Sequence, residues 1–68
     1  MNPKENEVHY GEEVRKKVDE CGMPVAEFAR RISCSRNNVY DIFKREYIDT
    51  GLLKKISGVL NFDFIHEL

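Results

Sequence analysis

Two short apolar registers with a polar break between them constrain this chain most. Val25, Phe28, Ala29 and Ile32 recur at intervals of three and four residues, and so do Val39, Ile42 and Phe43. That period gathers each set on one side of an α-helix. Ser33-Cys34-Ser35, a run of small side chains, separates the two sets and ends the first helix. Pro24 stands where the first of these helices starts, and the reading places it at N1, where a missing N–H costs nothing. Ser35 is a good N-cap for the second, which is predicted over Arg36 to about Lys44.

The flanking segments follow the same logic. Tyr10, Val14, Val18 and Cys21 share helical spacing, which predicts a helix from about Gly11 to Cys21. Glu12 and Glu13 precede Arg15, Lys16 and Lys17, the order the helix dipole favours. Gly22 then ends the helix as a C′ residue able to take positive φ. Downstream, Asp49 is the expected N-cap of a further helix, with Ile48 and Leu53 as the two halves of a hydrophobic staple. Leu52, Leu53, Ile56, Val59 and Leu60 form its stripe, Gly51 and Gly58 weaken it by up to about 1 kcal/mol each relative to Ala, and Asn61 ends it. Residues 62–68 read as a final turn or short helix. No segment alternates with period two between hairpin turns, so no sheet is expected. The prediction is an all-α, compact bundle of four to five helices over residues 10–68, preceded by a loose polar arm over residues 1–9 that contains Pro3.

Size and composition limit what such a bundle can do. A chain of 68 residues makes one small domain, which buries only about 60% of its unfolded surface. A large enclosed cofactor cleft is not expected. With 41% apolar and 34% charged residues the composition suits a solvated globular surface. No run approaches the roughly 20 apolar residues of a membrane helix, and the first seven residues lack the apolar core of a signal peptide. The expectation is a cytoplasmic protein without membrane association. Cys21 and Cys34 then read as free thiols packed as small apolar groups.

The chain carries a net charge of −1, but the charge is unevenly placed. Between Arg30 and Lys55 lie seven basic and three acidic residues, a local +4, while the remainder holds four basic and nine acidic ones, a local −5. A polyanion meets the local field and not the total. Ordinary solvated helix faces explain the same clusters equally well.

From Tyr10 to Phe64 the chain resembles the lambda-repressor-like helix-turn-helix domains, also called the XRE family. The resemblance rests on Phe28-Ala29, Ile32, Ser35-Arg36, Val39 and Ile42, a short loop, and then Leu52-Leu53, Ile56 and Leu60. Phe28-Ala29 occupies the place of the family's leucine-alanine pair, and Ser35 that of the serine capping its recognition helix. The resemblance implies a five-helix bundle that binds operator-like duplex DNA, often as a homodimer. Two positions depart from the pattern. Val25 stands where the family commonly has a phosphate-contacting glutamine, and Phe43-Lys44-Arg45 replaces the frequent Glu-x-Gly after the recognition helix.

With Val39, Ile42 and Phe43 turned inward, Asn37, Asp41 and Lys44 point outward, flanked by Arg36, Asn38 and Tyr40. Asparagine pairs bidentately with adenine and arginine with guanine in the major groove, and repressors of this kind read bases with the start of the recognition helix. Arg36, Asn37, Asn38 and Tyr40 are therefore the candidate base-contacting residues, and helix capping and solvation the alternative role for the two asparagines. Ser35, Lys44, Arg45 and Arg31 are the candidate phosphate contacts, although Arg30 and Arg31 equally suit a solvated helix surface. Asp41 opposes phosphate unless it pairs with Lys44 or Arg45 or accepts from cytosine N4, and the sequence leaves these open.

His9 and His66 with Cys21 and Cys34 have no zinc-module spacing, and no catalytic motif is present. No metal, cofactor or enzymatic activity is expected. Phe62, Phe64, Ile65 and Leu68 either close the core or pair across a two-fold axis, which would set two recognition helices about 34 Å apart. The expected function is that of a sequence-specific transcriptional regulator whose helix over residues 36–44 enters the major groove of duplex DNA. The competing expectation is a protein-interaction module that keeps the helix-turn-helix fold without reading DNA.

Overall fold

A computed structural model describes residues 9–66. Among them are four α-helices and no strand: α1 (Tyr10–Glu20), α2 (Val25–Arg31), α3 (Arg36–Lys44) and α4 (Thr50–Leu60). Helix α3 sits centrally, packing against both α1 and α2, while α1 also packs against α4. Val14, Val18, Phe28, Ala29, Val39, Ile42, Leu53, Ile56 and Leu60 supply helix-borne core side chains, and Ile32, Ile48 and Phe64 join them from the turns and loops. The half-buried Val25, Phe43, Leu52 and Val59 pack around this core.

The helix boundaries are set by local chemistry. His9 Nδ1 accepts from the Glu12 N–H and caps α1, so the ring of a residue expected in the N-terminal arm satisfies an orphan donor. Pro24 is the N-cap of α2 and not its N1 residue: its ψ is extended and its carbonyl accepts the first helical bond, from the Phe28 N–H. Ser35 Oγ accepts from the Asn38 N–H at 3.1 Å, and Asp49 Oδ1 from the Leu52 N–H at 3.0 Å. Ile48 and Leu53 are both buried across the Asp49 cap, as a hydrophobic staple requires.

The two turns that follow α1 and α2 share one geometry. After α1, Gly22 takes φ +68°, its N–H bonds Asp19 O, and the Met23 N–H reaches back to Val18 O. After α2, Ser33 takes φ +60°, its N–H bonds Arg30 O, and the Cys34 N–H reaches Ala29 O. Both are Schellman closures. The second puts an L-residue with a side chain into the left-handed region, which costs about 1–2 kcal/mol. Lys55 Nζ adds a bond to Ile32 O at 3.4 Å, tying α4 to the end of α2.

The segment after α4 forms a turn, and no fifth helix follows within the described residues. Asn61 in the left-handed conformation ends α4. Asp63 Oδ1 then accepts from the Ile65 and His66 N–H groups, which bends the chain locally instead of extending a helix. Ser57 Oγ accepts from the Phe64 N–H at 3.2 Å and donates to Leu53 O at 2.8 Å, so the tail is stitched back onto α4. Phe64 is wholly buried and closes the core, Phe62 and Ile65 are half-buried, and Leu68 lies outside the described residues. Cys21 is exposed, unlike the packed thiol expected from helical spacing, because α1 ends one residue before it. Cys34 is half-buried with Sγ 3.6 Å from Ile32 O.

Candidate nucleic-acid interface

The inner side of α3 is anchored by Val39 and Ile42 in the core and by Phe43, whose ring stacks on that of Phe28. Burying that side fixes what is left outside. Arg36, Asn37, Asn38, Tyr40, Asp41 and Lys44 are all exposed. Tyr40 is 50% exposed, and its ring packs edge-on against Phe43 at 6.3 Å. The four residues read as base contacts are thus all accessible, with Arg36 and Asn38 on opposite flanks of the outward-facing Asn37. Arg36 and Lys44 have no carboxylate partner among the described residues.

The candidate phosphate contacts are not equivalent. Ser35 Oγ already accepts from the Asn38 backbone, although its hydroxyl proton is left to donate. Arg31 is drawn along α2 to Glu27 (Nη2 to Oε2 2.8 Å). Arg45 is drawn along α3 to Asp41, with Nε and Nη2 on Oδ2 at 3.2 and 2.9 Å. Lys44 alone of the four is an exposed side chain with no hydrogen-bond partner among the described residues. The position of Asp41, open in the sequence, is occupied by an i,i+4 pair with Arg45 and not with Lys44.

The far end of α3 is held from behind by a contact that no local pattern announces. The Gly11 N–H donates to Arg45 O at 2.9 Å and the Tyr10 N–H to Glu46 O at 3.1 Å. Two orphan donors of the α1 N-terminus are thereby spent on the loop that leaves α3. The approach is so close that a Cβ at Gly11 would lie 2.5 Å from the carbonyl oxygens of Ile42 and Phe43 and 2.6 Å from that of Arg45. Beside this junction Tyr47 is 70% exposed and packs edge-on against Tyr10 at 6.4 Å. Sequence reasoning did not single it out, because a lone tyrosine in a loop has no periodicity to mark its place.

The remaining chemistry is structural. His66 Nδ1 lies 2.5 Å from Asp63 Oδ2, and hydrogen bonds from the His66 side chain and then its backbone N–H hold the Asp63 carboxyl below the usual carboxylate range. No group of three His, Cys, Asp or Glu residues that could hold a metal occurs among the described residues. Among the described residues no helix is long and apolar enough to cross a membrane. Comparison with protein-family models, with curated proteins and with solved structures finds no match to this chain.

Proposed function

We propose that this chain is a duplex-DNA-binding domain of the transcription-regulator kind, in which α2 and α3 act as a helix-turn-helix and α3 enters the major groove. One observation supports the reading: Arg36, Asn37, Asn38 and Tyr40 are all exposed on a helix whose inner side is anchored in the core. Two amides and a guanidinium match the donor–acceptor patterns of base edges. Lys44 and Ser35 bracket that surface and suit phosphate on either side of the groove. The half-buried Phe62 and Ile65 offer the described part of a homodimer contact, with Phe64 committed to the core.

The test is fluorescence anisotropy of the full chain against a mixed-sequence duplex across a salt series. Lys44 alone among the phosphate contacts implies a log–log slope of about −0.9, and release of Arg31 from Glu27 brings it to about −1.8 while Arg45 stays paired with Asp41. Affinity that is absent, or unmoved by salt, refutes the reading. A second reading, a protein-interaction module, draws on the carboxylate pairing of Arg31 and Arg45 and on the exposed Tyr47. It is favoured if low-salt duplex leaves the chain untouched while a protein partner shifts residues of α3.

A further inference from the structure

We propose that Asp41 is a positioning residue that restrains Arg45 and thereby sets how sharply the α3 surface discriminates between duplex sequences; the inference rests on the duplex-binding reading above. Three observations converge on Arg45. Its carbonyl oxygen is fixed from α1 by the Gly11 N–H, and its own N–H bonds Ile42 O. Its guanidinium is fixed from α3 by Asp41, which takes both Nε and Nη2 on one oxygen. The other Asp41 oxygen has no hydrogen-bond partner among the described residues, although the residue is exposed.

Folding does not require this arrangement. An exposed i,i+4 pair contributes little to stability, because solvent screens it and two side chains must be ordered. On a surface that meets a polyanion, a carboxylate is also an electrostatic cost. The same pair has a clear consequence for recognition. A guanidinium held along its Nε–Nη2 edge presents the remaining N–H groups in one direction, so less ordering is left for binding. It contributes fully only where the sequence-dependent shape of the duplex brings a phosphate oxygen to that spot. The Asp41 carboxylate meanwhile weakens attraction to every duplex, and only a duplex that fits the held guanidinium recovers the loss. Affinity for arbitrary sequence falls more than affinity for the fitting one, which is how repulsion raises specificity. The other ion pairs among the described residues lie elsewhere: Glu13–Lys16 and Lys17–Glu20 on α1, Glu27–Arg31 on α2 and Asp63–His66 in the tail.

The experiment begins with selection of binding sites from a random duplex library by the full chain. Affinity is then measured on the selected duplex and on a mixed-sequence duplex, across salt, for wild type, D41N, R45Q and the double variant. Circular dichroism and thermal melting of each variant establish that the fold is kept. D41N is expected to bind the mixed duplex roughly three- to tenfold more tightly at low salt and to steepen the salt slope by about 0.9. The ratio of selected to mixed affinity is expected to fall about tenfold. With Arg45 already replaced by Gln, D41N is expected to leave that ratio unchanged, because the residue it positions is gone. A D41N protein with the wild-type slope and ratio overturns the inference. So does an equal loss of discrimination in the R45Q background, which would show that Asp41 acts on DNA without Arg45. Wild-type binding with no sequence preference also overturns it while leaving the duplex reading in place. Wild-type failure to bind any duplex removes both.

Discussion

The two ends of α3 are held in different ways. At its start, Ser35 closes a cap within four residues and Arg36, Asn37 and Asn38 project freely. At its finish, two N–H groups from residues more than 30 positions earlier in the chain grip the carbonyl oxygens of Arg45 and Glu46. One end is fixed by neighbours in sequence, the other by a neighbour in space. The contrast shows what each kind of contact fixes: the local cap leaves Arg36, Asn37 and Asn38 exposed, and the remote clamp ties the exit of α3 to the start of α1.

Breaking the remote clamp has the largest expected effect. Alanine ordinarily stabilises a helical glycine site by about 0.5–1 kcal/mol. At Gly11 the sign reverses, because the added methyl meets three backbone oxygens within 2.6 Å. G11A is expected to destabilise the domain by about 3 kcal/mol or to displace α1 from α3, read by urea denaturation and by loss of protection at the Tyr10 and residue-11 amides that donate to the α3 exit loop. Breaking the local cap costs less. S35A removes the acceptor for the Asn38 N–H and is expected to cost about 1 kcal/mol, with fraying confined to residues 35–38 in hydrogen exchange. Gly58 sharpens the contrast from the other side. It is exposed in α4 and a Cβ there meets nothing within 4 Å, so G58A is expected to raise stability by about 0.5–1 kcal/mol, checked in the same denaturation series. A G11A protein as stable as G58A would refute the clamp.

The smallest effect belongs to the tail. The Asp63 carboxyl is held below the usual carboxylate range, chiefly by the His66 side chain. Its contribution is therefore present above the ordinary carboxylate pKa and is lost as pH falls through the depressed folded value. On acidification the Ile65 and His66 amides are expected to lose exchange protection before those of α1–α4, because their acceptor is Asp63 itself. Simultaneous loss across all helices would contradict that order.

The same division explains what the sequence revealed. Periodic stripes and caps are written in consecutive residues, so the four helices, the Ser35 and Asp49 caps and the Ile48–Leu53 staple were legible. Gly11 looked like an indifferent helix residue because its contact is with residues 42–46, beyond any local window. Pro24 shifted to the N-cap because its carbonyl, not its ring, takes the first helical bond. Cys21 kept helical spacing with Val14 and Val18 but fell just past the last turn, where the Gly22 closure swings the chain away. The exposed residues of α3 followed once its inner stripe was placed. The pairing of Asp41 with Arg45 in preference to Lys44 did not follow, since i,i+3 and i,i+4 neighbours are both within reach of a helical carboxylate.

The central claim is that the open surface of α3 meets duplex DNA. The most direct measurement is a low-salt titration of the isotope-labelled full chain with mixed-sequence duplex, followed by backbone amide and asparagine side-chain resonances. The expected result is a set of shifts concentrated on residues 35–45, with the Asn37 and Asn38 side-chain amides among the strongest. Shifts confined to α1 and α4, or none at a several-fold excess of duplex, would contradict it.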